Sequence, residues 1–146
     1  MPVEIPYVGP NEGTSRQRFE ALRRLGHSVF MVDPFDAVSS NRYARSWIFH
    51  TGALGCERSV QSFVTASVGD KRFDLALVDS GELIGPALVE QLRGRSSGTV
   101  VNFNQDNPYA AKRRFRLFRK ALPFYDLIVT SRDSSVQAAR AGHAEG

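Results

Sequence analysis

Asn102, Asn104, Gln105, Asp106 and Asn107 crowd the end of an apolar run, "VVNFNQDNPY", residues 100–109. Val100, Val101 and Phe103 suit a buried strand, and Pro108 closes the cluster. Amides and a carboxylate at a strand end can build a site for a polar ligand. The same residue types also form turns and cap helices. Which role they take depends on the sheet edge they occupy.

A second candidate is "GPNEGT", Gly9 to Thr14, with Arg16 and Arg18 just beyond. If a helix begins there, its free N–H groups and dipole suit a phosphate or carboxylate. The loop lacks both G-x-G-x-x-G spacing and the Gly-Lys-Ser/Thr of a P-loop. A plain turn fits it as well. Asp79-Ser80-Gly81 and Asp33 end two further apolar runs. Asp33 stands where a dinucleotide fold binds a ribose hydroxyl, but Asp33-Pro34 is also turn chemistry.

The densest charge is "KRRFRLFRK", in which six of nine residues are basic. On a helix, Ala111, Phe115, Phe118 and Leu122 form one stripe. Lys112, Arg113, Arg116 and Lys120 then face water as a candidate contact for an anionic surface. A solvated face is the simpler alternative. His27 and His143 follow helix-ending glycines and read as connectors, and His50 near Trp47 reads as structural. No His, Cys and carboxylate spacing suggests a metal, and no cofactor is implied. Cys56, the one cysteine, excludes an internal disulfide framework and points to a reducing compartment.

The elements that must position these groups alternate. Strands are expected at Val3–Val8, His27–Val32, Phe73–Val78, Thr99–Asn104 and Asp126–Thr130. A first helix follows Thr14 as cap, with Gln17 completing a capping box, and Gly26 ends it. Arg42–His50, with Tyr43, Trp47 and Ile48 partly buried, and Glu57–Val68 are candidate helices. Pro86–Arg93, Tyr109–Leu122 and Asp133–Arg140 complete the set. The strands are near-continuous apolar runs, which suit parallel strands buried on both faces. The fold class is therefore α/β, with a Rossmann-like, doubly wound, mainly parallel sheet of about five strands. An order of 3-2-1-4-5 would make the first and fourth strands neighbours. Gly13 and Asp106 would then share one crevice beyond the carboxyl ends.

The chain has 146 residues and a formal net charge of +4, enough for one domain with a core. The charge permits anionic partners without selecting one. Met1 to Pro10 has no apolar run and does not read as a signal peptide. "LRRLGHSV" closes a helix and opens a strand, while "AARAGHAEG" repeats the helix-Gly-His form without a strand after it. The expectation is a fragment or half of a larger protein.

Two stretches, "FDLALVDSGELIGPALVEQLRGRSSGTVVNFNQDNPY" and "FYDLIVTSRDSSVQAARAGHAEG", resemble the N-terminal half of GT-B glycosyltransferases. The nearest likeness is to the bacterial spore-maturation-protein-like group. There an apolar strand ends in an acidic, proline-bearing turn, as "NFNQDNP" does here. "GPNEGTSRQRFEALRRLGHSV" is similar to the family's first βα unit. The resemblance covers most of residues 5–143 apart from about 37–70. It implies a cytoplasmic enzyme moving a sugar from a nucleotide-sugar donor to a hydroxyl acceptor. Residues 1–146 would be the acceptor-side domain, and the donor-binding C-terminal domain would lie outside this chain. By the same resemblance, Gly9, Gly13 and Thr14, with Arg16, would face the donor diphosphate. Asp106 would bind the acceptor or remove its proton; Asp79, Asn104 and Asn107 are further substrate-binding candidates because polar clusters beyond the carboxyl ends of parallel strands are where open α/β sheets bind ligands. Peripheral contact with anionic membrane at its inner face fits the basic helix, and nucleic acid is not expected as a partner. The alternative is a non-catalytic Rossmann-like or flavodoxin-like module with an anionic partner.

Overall fold

The computed structural model describes residues 1–38, 41–106 and 115–133. The expectations for Asn107, Lys112, Arg113 and His143, and for the helices where they run through 107–114 and 134–140, fall outside that set.

Five strands alternate with helices. β1 (Glu4–Val8) leads into α1 (Gly13–Arg24), then β2 (Ser28–Val32) and a 3-10 turn at Pro34–Ala37. α2 (Arg42–Thr51) and α3 (Glu57–Val68) precede β3 (Phe73–Asp79). α4 (Pro86–Arg95), β4 (Ser96–Asn104), α5 (Arg116–Ala121), a 3-10 turn at Leu122–Phe124 and β5 (Leu127–Thr130) follow. Every strand pair is parallel. The α/β, doubly wound reading is what the chain adopts.

The strand order is β2-β1-β3-β4-β5, which corrects the expected 3-2-1-4-5. β1 lies beside β3, and β3 separates it from β4. Both orders keep right-handed crossovers, so apolar runs alone do not choose between them. The reversal of winding, where an open parallel sheet opens its crevice, therefore falls between β1 and β3. Asp79, the last residue of β3, stands at that point.

Side chains alternate across the sheet. Val8, Ala76, Val78 and Val100 enter the main core. Over them pack α3, α4 and α5, which touch one another in that sequence. Val60, Val64 and Val68 from α3 and Leu88, Val89 and Leu92 from α4 complete this layer. The opposite face carries Tyr7, which meets Phe19 of α1 edge-to-face at 5.9 Å.

Local chemistry explains most of the boundaries. α1 stops in a Schellman arrangement. His27 N donates to Leu22 O and Gly26 N to Arg23 O, with Gly26 at φ 90°. Pro86 occupies the first turn of α4, where its missing N–H costs nothing. Asn41 caps α2 by accepting from Ala44 N. The start of α1 departs from expectation. Glu12, not Thr14, is the N-cap, and it makes no side-chain capping bond.

Candidate functional site

The carboxyl edge carries two polar clusters, on opposite faces of the sheet. On the α1 face, Asp79 is buried, 3% exposed as a residue. Its Oδ2 accepts from Nε of Arg18 at 3.0 Å and from Nη2 at 2.6 Å. The Tyr7 hydroxyl donates to the same oxygen, and Ser15 Oγ donates to the Tyr7 oxygen at 3.3 Å. The Arg18 guanidinium lies over the Phe103 ring, 4.5 Å from its centre, a cation–π contact. β1 supplies Tyr7, α1 both Ser15 and Arg18, β3 Asp79 and β4 Phe103.

Gly9 makes the close approach of β1 and β3 possible. A Cβ there would lie 2.8 Å from Asp79 Cβ and 3.2 Å from Ser15 Oγ. Its N–H donates to Val32 O, so Gly9 serves the packing of the loop and has no N–H left for a phosphate.

Electrostatics follow the geometry. Burial and then the Asp79 carboxylate push the Tyr7 phenol up to about 12. Burial alone would lower Arg18, but the Asp79 carboxylate and the Tyr7 oxygen outweigh it and raise the guanidinium further. Asp79 is therefore committed to an internal ion pair rather than offered to a ligand. Its role is to aim Arg18, whose Nη1 makes no hydrogen bond among the described residues.

On the other face, Asn102 Nδ2 donates to Val78 O at 3.3 Å and to Ser80 O at 3.1 Å. This amide ties β4 to the end of β3. There Ser80 holds φ 68° and Gly81 φ 93°, conformations that β-carbon-bearing residues seldom adopt. Asn104, 3% exposed, accepts from Asp106 N at 2.8 Å. That is an Asx turn, and it sets the exposed Asp106 on the rim just past β4. Asn102 Oδ1, Asn104 Nδ2 and the Tyr125 hydroxyl are buried without a hydrogen-bond partner among the described residues. Burial drives the Tyr125 phenol strongly upward, with a smaller opposing pull from Asn102.

The remaining expected residues sort as follows. Gly13, at φ 56° with open space around its Cα, and Thr14 are exposed at the start of α1. No side chain caps that turn and no acid lies in it. Arg16 is exposed and donates to Asn11 Oδ1 at 3.2 Å. Gly13 and Asp106 share the carboxyl edge, as parallel strands require, with β3 between their strands. Asp33 spends both oxygens on backbone, Oδ1 on Phe35 N and Oδ2 on Asn11 N. That is the turn role and not the ribose role. In the basic stretch, Lys120 is exposed. Arg116 is only half-exposed, and its Nε is buried without a partner among the described residues. Phe115 and Phe118 are buried as the stripe requires.

Sequence reasoning missed Tyr7 and Ser15 and gave Arg18 only the role of loose charge. A lone tyrosine in an apolar strand carries one signal: a buried phenol needs a polar partner. Tyr43 and Trp47, expected to be partly buried, are exposed instead. Among the described residues, no group of His, Cys, Asp and Glu could hold a metal ion. No described helix is long and apolar enough to cross a membrane. Comparison with known proteins gives no match, whether to a family model, a curated protein or a solved structure.

Proposed function

We propose that this chain is the acceptor-side half of a GT-B glycosyltransferase, serving transfer of a sugar from a nucleotide-sugar donor to a hydroxyl acceptor. The observation that carries the reading is the rim turn in which buried Asn104 fixes the backbone of Asp106, an exposed residue just past β4. A general base must reach the acceptor hydroxyl directly or through one water, and a carboxylate on a braced turn can do so. The uncapped start of α1, with Gly13, Thr14 and Arg16, supplies N–H groups and positive charge toward a donor diphosphate. The resemblance of "NFNQDNP" and its flanking stretches supports the same assignment.

The test is an amide-resolved NMR titration of the 146-residue chain with a nucleoside diphosphate sugar and, separately, with hydroxyl acceptors. Shifts should cluster at residues 9–16 for the donor and 104–106 for the acceptor. Shifts at neither segment, at millimolar ligand, would remove the proposal.

A second reading is a non-catalytic, flavodoxin-like module with an anionic partner. The strand order favours it, because β2-β1-β3-β4-β5 is the flavodoxin-like order. It expects the donor-side response alone, with inorganic phosphate as effective as the nucleotide sugar.

A further inference from the structure

α2 buries little of itself. Ile48 is its one fully buried side chain. Ala44 and Thr51, on the same stripe, are half-buried. The outward half carries large rings in water: Tyr43 is 74% exposed, Trp47 51% and Phe49 52%, with Leu54 at 49% in the turn that follows. Tyr43 and Trp47 share one flank of the helix, Leu54 adjoins the Trp47 ring, and Phe49 lies on the other flank. Folded monomers rarely leave so many large apolar side chains of one short segment in solvent unless something covers them.

The charge beside these rings has one sign. Arg42 and Arg45 share the outward arc, and the sequence has no Asp or Glu between Asp36 and Glu57. Arg42 lies 5.2 Å from the centre of the Tyr43 ring. The Trp47 indole N–H is already spent, since Nε1 donates to Leu54 O at 2.7 Å. That bond locks the ring against the Leu54 backbone and removes the polar cost of taking the ring out of water. Aromatic rings with satisfied donors, a neighbouring leucine and flanking arginines match the boundary between headgroups and acyl chains.

We infer that the outward face of α2 and the turn at Leu54 form a docking surface for an anionic lipid bilayer. Tyr43 and Trp47, one turn apart on the same flank of α2, and Leu54, held against the Trp47 ring, enter the acyl boundary, while Arg42 and Arg45 on the other flank lie at the level of the anionic headgroups. The positive charge selects an anionic surface over a neutral one. The apolar rings separate this contact from purely electrostatic attachment through the basic stretch at 112–120. The inference does not depend on the sugar-transfer reading.

Trp47 is the only tryptophan in the chain, so its emission reports this face alone. The experiment mixes the full chain with vesicles of phosphatidylcholine, or of phosphatidylcholine with 30% phosphatidylglycerol as a chosen probe composition. The emission should shift to the blue with the anionic vesicles only, and brominated acyl chains should quench it. Arg42→Glu with Arg45→Glu should lower vesicle partitioning at least ten-fold. Tyr43→Ser with Leu54→Ser should do the same while the circular dichroism of the chain stays unchanged. Both pairs are exposed, which spares the core. Three results overturn the inference. One is an emission unmoved by vesicles. Another is a blue shift that grows with protein concentration without lipid, which marks a second copy as the occupant. The third is vesicle binding with Trp47 unchanged that Arg116→Glu and Lys120→Glu abolish.

Discussion

Asp79 and Arg18 form an ion pair with unequal burial. The Asp79 side chain is 2% exposed and the Arg18 side chain 27%, with 2.6 Å between Oδ2 and Nη2. Removing the arginine strands a charge in the interior, whereas removing the carboxylate leaves a guanidinium that can still reach water. Breaking a buried pair by deleting one partner costs about 3–5 kcal/mol. Arg18→Met should therefore approach that range, and Asp79→Asn should cost less, on the order of 2 kcal/mol. Urea denaturation of both variants measures the asymmetry. Equal costs, or the reverse order, would show that the pair shares its burial.

Tyr7 ties this cluster to pH. The phenol rises to about 12 in the folded chain, whereas an unfolded tyrosine ionises near 10. The folded state therefore holds this proton more tightly. The stabilisation is fully present below about pH 10 and is lost as pH rises from there through about 12. Tyr7→Phe removes this share, so its stability should fall less steeply than that of the parent chain across the same window. Denaturant midpoints at pH 9, 10 and 11 give the slopes, and parallel slopes would place the proton elsewhere.

Two glycines in the β1–α1 loop should respond differently to the same change. Gly9→Ala puts a methyl 2.8 Å from Asp79 Cβ, whose strand cannot retreat without parting from β1. Overpacking of this kind typically costs about 1–3 kcal/mol, and here it should also disturb the bond from Tyr7 to Asp79. Gly13→Ala meets nothing within 4 Å but must hold φ 56°, a backbone penalty of about 1–2 kcal/mol. Thermal melts would separate them together with the Tyr7 titration. Gly9→Ala should shift the phenol, and Gly13→Ala should not.

The elements were legible because their signals are local. Apolar runs mark the strands, Pro86 opens α4, Gly26 closes α1, and the spacing of Val60 and Val64 marks α3. The strand order was not legible. Whether β3 takes its place beside β1 or beside β2 depends on long-range packing that no local pattern encodes. The rim clusters were found because polar residues stand out at the ends of apolar runs. Their division between two faces could be seen only once the register paired Asp79 with Phe103 and Val78 with Asn102. Asp79 reads from sequence as a ligand group, and its commitment to Arg18 depends on α1 crossing the same face. α2 shows the opposite error. Helical spacing locates Tyr43 and Trp47 on a helix but does not say which arc faces the core, and the structure turns Ile48 inward instead.

The last prediction concerns the turn after β4. The hydrogen bond that braces Asp106 uses its backbone N–H, which donates to Asn104 Oδ1 at 2.8 Å. Asp106→Asn removes the carboxylate and leaves that bond intact. If Asp106 removes the acceptor proton, the variant joined to a donor-binding half should turn over about 10²-fold more slowly or worse. Its acceptor-induced NMR shifts at residues 104–106 should remain. Asn104→Ala tests the brace from the other side. It keeps the carboxylate but releases the turn, so acceptor binding should weaken along with turnover. A variant at Asp106 with unchanged turnover would remove it as the base. Loss of acceptor shifts in Asp106→Asn would instead make the carboxylate a binding group, with the proton taken by another residue or by the donor itself.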